Sequence, residues 1–259
     1  PHVRLITLSF AAIIAVGTFL LMLPLSSSTG SFTPPEDAFF TATSATCVTG
    51  LVVFDTFLHW SGFGQAVILL LIQLGGLGLI SFTTFFTLTI RRKLGIRDLQ
   101  LANEYISNGS LKDVPRLLRL VVAVSFTVEC LGALLLGLRF VPAYGDQGIW
   151  ISIFLAVSAY CNAGFDILGR EGPFSSLTNY NDDPLVLLTI SMLIIIGGLG
   201  FIVFNDILSY RRGHSLLLHT RIVLIFTVAL IFVGALLFFL IEYNNKDTMK
   251  DLPLGQKVL

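Results

Sequence analysis

The chain has 259 residues, 54% of them hydrophobic and 12% charged, with 16 bases against 16 acids. An ordinary soluble domain carries about twice that share of charge, so the composition points to a polytopic membrane protein, and a formal net charge of zero gives no sign of a nucleic-acid partner. Cys47, Cys130 and Cys161 stand in or beside apolar sequence with no CxxC pair, which suggests neither a disulfide framework nor a zinc site.

Crossing a hydrocarbon core of ~30 Å takes ~20 mostly apolar helical residues. The first run that qualifies is Leu5–Leu25, too long for the apolar part of a cleavable signal and not followed by a small-residue cleavage site. Next comes Pro35–Thr46, about a dozen residues or roughly 18 Å of helix, enough to enter a membrane and not to cross it. Thr33-Pro34-Pro35-Glu36 has the spacing of a capping box with proline in the first turn. This short helix leads into Thr46-Cys47-Val48-Thr49-Gly50. A second span, Gly62–Ile90, contains Gly75-Gly76-Leu77-Gly78. Such small-residue runs mark close helix packing in preference to direct ion contact.

After a linker at 98–116, the third span, Leu117–Leu138, places Glu129 near its middle. An intramembrane carboxylate is a functional candidate, and a hydrogen bond to a neighbouring helix is the structural alternative. A second short helix, Gly148–Tyr160, leads into Tyr160-Cys161-Asn162-Ala163-Gly164. The fourth span, Leu185–Leu208, carries Gly197-Gly198-Leu199-Gly200, and the fifth is Ile222–Ile241. Asp206, beside Arg211 and Arg212, reads as a solvated or paired residue.

The order of elements repeats. At an offset of 114, Ser44/Ser158, Ala45/Ala159, Cys47/Cys161 and Gly50/Gly164 are identities, and the two Gly-Gly-Leu-Gly runs match at 122. A unit of span, short helix, glycine loop and span therefore occurs at 1–97 and again at 117–213. Residues 214–259 begin a third unit, which predicts that the chain continues. The fold class expected is an all-α integral membrane protein built of such units around a pseudo-fourfold pore.

Basic residues orient the spans. With a cytoplasmic N-terminus, the inner side holds 11 of the 16 bases, among them Arg91, Arg92, Lys93, Arg97, Lys112 and Arg116. The outer side holds 5 bases and 11 acids, a balance of −6, so both short helices enter from an acidic exterior that concentrates cations.

Non-helical backbone at membrane depth is tolerated where protein buries it or water reaches it, and one use of it is to replace the water around an ion with carbonyl oxygens. Small or hydroxylated side chains, and a glycine where φ must be positive, suit residues 46–50 and 160–164 to that task. The negative C-terminal ends of the short helices favour a cation at the same place. One or two loops cannot encircle an ion; rings of this kind use four strands. The cysteines have no nearby base, and no protease motif is present: Gly76-Leu77-Gly78 is followed by Leu79, not Asp. A secondary transporter with broken helices is the stronger rival, although those folds usually invert their repeats.

The short helices, "TSATCVTGLVVFD", "CNAGFD" and the "GGLG" spans resemble the Trk/Ktr/HKT superfamily of potassium transporters, most closely the bacterial Ktr membrane subunit. The resemblance implies four span–pore–span units with one filter glycine each. Thr46, Cys47, Val48, Thr49 and Gly50, and Tyr160, Cys161, Asn162, Ala163 and Gly164, would line the selectivity filter. It further implies potassium as the transported ion, with sodium as the alternative, and no covalently bound cofactor. The expected partners are a second copy of the chain in a homodimer, a cytosolic ring of nucleotide-binding regulatory subunits and the remaining repeats. The expected location is the bacterial inner membrane.

Overall fold

The computed structural model describes residues 2–78, 114–170, 172–210 and 216–245, together with residues 255 and 257. The described structure is helical, with no strand beyond an isolated bridge between Ser27 and Trp60. The helices are α1 (His2–Met22), α2 (Pro35–Cys47), α3 (Thr56–His59), α4 (Gly62–Gly76), α5 (Val114–Tyr144), α6 (Asp146–Tyr160), α7 (Pro184–Gly198), α8 (Phe201–Tyr210) and α9 (Leu218–Glu242). Within α5, Arg119–Tyr144 is long and apolar enough to cross a membrane, as is the whole of α9.

Local chemistry explains where the helices begin. Asp55 caps α3 by accepting from the N–H groups of Phe57 and Leu58, and Ser61 caps α4 by accepting from Gly64. Asp183 accepts from Leu185 and Val186 ahead of Pro184 at the first turn of α7, the arrangement in which proline sacrifices no helical hydrogen bond. The capping box expected at Thr33–Glu36 does not form. Pro34 stands at the N-cap of α2 with no side-chain cap, and the Thr33 hydroxyl instead meets His59 Nε2 at 3.1 Å.

The apolar run Leu185–Leu208 also differs from one continuous span: it is divided into α7 and α8 at Leu199 and Gly200. Of the run Gly62–Ile90, α4 covers Gly62–Gly76, and the part beyond residue 78 lies outside the described residues, as does most of the linker at 98–116.

Two three-helix groups make up the packing. Helix α2 lies against α1 and α4, helix α6 against α5 and α7, and α4 joins the groups by touching α6. Ala38, Ala42 and Ala45 are fully buried on one side of α2, and side chains this small let helix backbones approach closely. Corresponding first helices use glycine for the same purpose: Gly17 of α1 receives the tip of Leu71, and Gly132 of α5 that of Leu193. Phe140, Phe154 and Val186 fill the interior of the second group. Helix α9 packs chiefly on α8 and leaves side chains such as Phe226, Phe232 and Phe238 exposed.

Candidate functional site

Helices α2 and α6 contain 13 and 15 residues, too short at 1.5 Å per residue to cross a ~30 Å core. Each ends in a loop of the same backbone design. The Val48 N–H returns to the Ala45 carbonyl at 3.3 Å, and the Asn162 N–H to that of Ala159 at 3.0 Å. One residue on, Thr49 donates to the Ser44 carbonyl at 3.0 Å and Ala163 to that of Ser158 at 2.8 Å. Val48 and Asn162 both take φ of 57°, and Gly50 and Gly164 both take 73°. A left-handed β-branched residue is a true outlier, whereas asparagine and glycine accept that region more readily. The loops therefore coincide in hydrogen bonding and in dihedral sign, residue by residue.

Between them, the loops turn their glycines toward one another. A Cβ placed on Gly50 would stand 2.7 Å from the Ala163 carbonyl oxygen and 3.3 Å from the Gly164 Cα. Among the described residues, no hydrogen bond ends on the carbonyl oxygens of Val48, Thr49, Asn162 or Ala163. These acceptors remain available to an ion or to water.

Side chains hold the loops from behind in different ways. In the first, Ser44 Oγ meets Thr49 Oγ1 at 2.8 Å, and Thr46 Oγ1 returns to the Ala42 carbonyl at 2.7 Å. In the second, Ser158 Oγ donates to the Phe165 carbonyl at 2.5 Å, and the Tyr160 hydroxyl reaches Ser125 of α5 at 2.9 Å. Cys161 and Ala163 are buried, while Cys47, Thr49, Asn162 and Gly164 are exposed. All three cysteines are free thiols.

The Gly-Gly-Leu-Gly runs are packing sites, but what they pack against is the loops. Gly75 abuts the Thr46 carbonyl and Gly197 the Tyr160 carbonyl, each so closely that a Cβ has no room. Gly76 faces the other way: its Cβ would fall 2.5 Å from Cys161 Sγ. The last turn of α4 is thus wedged between the two loops.

Glu129 is 4% exposed and accepts from Gln73 Nε2 at 2.9 Å and 3.2 Å through its two oxygens. The hydrogen-bonding reading of this residue therefore has its partner. Asp206 is buried and not solvated, and it accepts from the Leu217 N–H at 2.8 Å, tying α8 to the start of α9; Arg211 and Arg212, the bases expected beside it, lie outside the described residues. Helix ends carry unsatisfied backbone groups, and one carboxylate serves that N–H. Gln73, Ser125 and the left-handed Val48 escaped sequence reasoning. A lone glutamine or serine in an apolar run gives no local signal of its partner.

Past the loops, Asp55 Oδ2 accepts from the Phe174 N–H at 2.8 Å, and Asp166 Oδ1 from the Leu168 N–H at 3.0 Å. Burial pushes the Asp166 carboxyl above its usual range, and the neighbouring Asp55 adds to the effect, against the Leu168 hydrogen bond.

A family model described as cation transport protein, TrkH, matches residues 4–259. The chain is 39% identical over 249 residues to the potassium/sodium uptake protein NtpJ of Enterococcus hirae, covering 96% of this chain and 54% of that protein. It is 37% identical over 259 residues to the Ktr system potassium uptake protein B of Bacillus subtilis, covering 98% of this chain and 56% of the relative. Against the protein of the same name from Vibrio alginolyticus the identity is 38% over 256 residues, 97% of this chain and 54% of the relative. The chain spans about half the length of the curated relatives it matches.

Proposed function

Since the chain belongs to the TrkH family of cation transport proteins, we propose that it supplies half of the ion-selecting ring of a potassium uptake subunit. The observation that carries this reading is the matched pair of loops. Two short helices end in the same left-handed turn, leave carbonyls without a hydrogen bond among the described residues and meet at Gly50 and Gly164. Carbonyl oxygens there replace the hydration shell of a potassium ion, and the C-terminal ends of α2 and α6 add partial negative charge. Transport of this kind changes no covalent bond, so the residues act by position and not as acids, bases or nucleophiles.

In this reading, 1–97 and 117–213 are two span–pore–span repeats, 98–116 is a cytoplasmic linker and 214–259 begins a third repeat. The third and fourth repeats close the ring. The whole protein sits in the bacterial inner membrane with its N-terminus in the cytoplasm, as a homodimer resting on a cytosolic nucleotide-binding ring. Two relatives are named for a Ktr system, and a system name supports association with further components. A second reading, a pore that also passes sodium, is favoured by the name of the Enterococcus hirae relative.

The test is uptake by the full-length protein in cells lacking their own potassium transport. Serine at a position held at φ of 73° costs on the order of 1–2 kcal/mol, so Gly50→Ser shifts the loop without unfolding the bundle. Potassium preference over sodium falls about tenfold at unchanged abundance. Full preference in that variant contradicts the proposal.

A further inference from the structure

The two loops share a backbone and differ in what stands behind them. Contacts fix the correspondence of the supporting helices: the Gly17–Leu71 and Gly132–Leu193 pairs relate α1 to α5 at an offset of 115 and α4 to α7 at 122. On that register Glu129 corresponds to Ile14, Ser125 to Phe10, Gln73 to Ile195 and Gln65 to Leu187. These four polar residues of α4 and α5 are all apolar at the matching places in α7 and α1. The shared Gly-Ala-Leu-Leu of Gly132 and Gly234 extends the register to α9, where Glu129 matches Ile231 while Ser125 matches Thr227, so the carboxylate and not the hydroxyl sets α5 apart there.

At the seam between α4 and the second group, the polar members form three hydrogen-bonded pairs. Gln65 Oε1 accepts from Trp150 Nε1 of α6 at 2.8 Å, and its Nε2 donates to the Trp60 carbonyl at 3.0 Å. Two turns on, Gln73 donates to Glu129 of α5. One turn from Glu129, Ser125 holds the Tyr160 hydroxyl and also donates to the Val121 carbonyl at 2.9 Å. Ser125, Glu129, Gln73 and Tyr160 are all less than a tenth exposed. The loop ends of this set bear on candidate ion-coordinating backbone. Tyr160 is itself a loop residue, and Gln73 lies one turn from Gly76, which presses on Cys161. Among the described residues the first loop shows no such tie, and the Thr46 hydroxyl returns to its own helix.

We infer that Gln73, Glu129, Ser125 and Tyr160 form a positioning network that sets the second loop against the first, making the ion-selecting ring unequal by design. The inference rests on the proposed reading of the loops. Buried polar groups left without partners are costly in a low-dielectric interior, so the network has one low-energy register, whereas apolar seams slide more easily. Its side chains do not touch the ion.

The experiment measures potassium and sodium uptake, abundance and thermal unfolding of the full-length protein. Its variants are Tyr160→Phe, Glu129→Leu and Glu129→Gln, the exchange Gln73→Glu with Glu129→Gln, and Gly50→Ser as a control. Tyr160→Phe and Glu129→Leu lower the potassium-to-sodium ratio several-fold at unchanged abundance. Glu129→Gln lowers it less, and the exchange, which rebuilds an amide-to-carboxylate pair, restores it. Tyr160→Phe removes one oxygen without opening a cavity, so it decides the matter should Glu129→Leu fail to assemble. A ratio that stays unchanged, or that falls only with stability and does not recover in the exchange, overturns the network. If Gly50→Ser also leaves the ratio unchanged, the reading of the loops fails and takes this inference with it. If Gly50→Ser alone lowers the ratio, only the network fails.

Discussion

Val48 holds φ of 57° and ψ of 45° at the turn out of α2, a conformation that costs a β-branched residue about 1–2 kcal/mol. Its counterpart in the second loop is Asn162 at the same φ, a residue that enters this region more readily. Val48→Asn therefore raises the thermal unfolding midpoint, by relief of about 1 kcal/mol of strain. A lower midpoint would show that the contact of the Val48 methyl with Gly75, 3.2 Å from a Cβ built there, outweighs the strain. The His59 ring stacks on Phe54 with centroids 4.0 Å apart and meets the edge of Trp60 at 4.7 Å. Burial holds its pKa below the usual value, opposed in part by Asp37. A depressed histidine pKa means that the unfolded chain binds the proton first. Its contribution to stability is thus whole above about pH 6.5 and is lost as pH falls below that. Between about pH 7.5 and about 5.5, a range spanning the ordinary histidine value, the unfolding midpoint drops less in His59→Asn than in the parent chain. Equal slopes would remove His59 as the cause.

At the scale of elements, the last turn of α4 organises the site. Its Gly75 abuts the Thr46 carbonyl and its Gly76 abuts Cys161, so one turn of helix touches both loops. From sequence, the glycine run reads as a packing face in preference to an ion contact. The structure shows the packing, and the packed surface is the loop backbone itself. Gly75→Ala consequently lowers abundance and potassium preference together, whereas Gly62→Ala, with nothing within 4 Å of its new Cβ, changes neither. Uptake ratios alongside detergent-extracted yield separate the two, and a Gly75→Ala protein with native preference would contradict the wedge. The short helices were legible because proline and acids mark the start of α2 and because the loop motif occurs twice. The division of α7 from α8 at Gly200 was not, since hydropathy runs unbroken across it.

For the molecule as a whole, helical content and the spans within α5 and α9 followed from composition and run length, quantities that need no tertiary information. The pairing across the two helix groups did not. Gln73 meets Glu129 over 56 positions and Gln65 meets Trp150 over 85, and nothing local to either residue names its partner. The loops likewise announced themselves by their repeated residue pattern, while their approach to within contact at Gly50 and Gly164 is a property of the assembled bundle. The central claim is that these two loops act as one ion-selecting surface, and groups in contact do not respond independently to substitution. The most direct measurement is a double-mutant cycle on the potassium-to-sodium uptake ratio of the full-length protein, using Gly50→Ser, Gly164→Ser and both together. Each single change is expected to lower the ratio about tenfold, and the pair to fall well short of the product of the two effects. Effects that multiply in full, or a single variant that keeps its parent's ratio, would contradict the account.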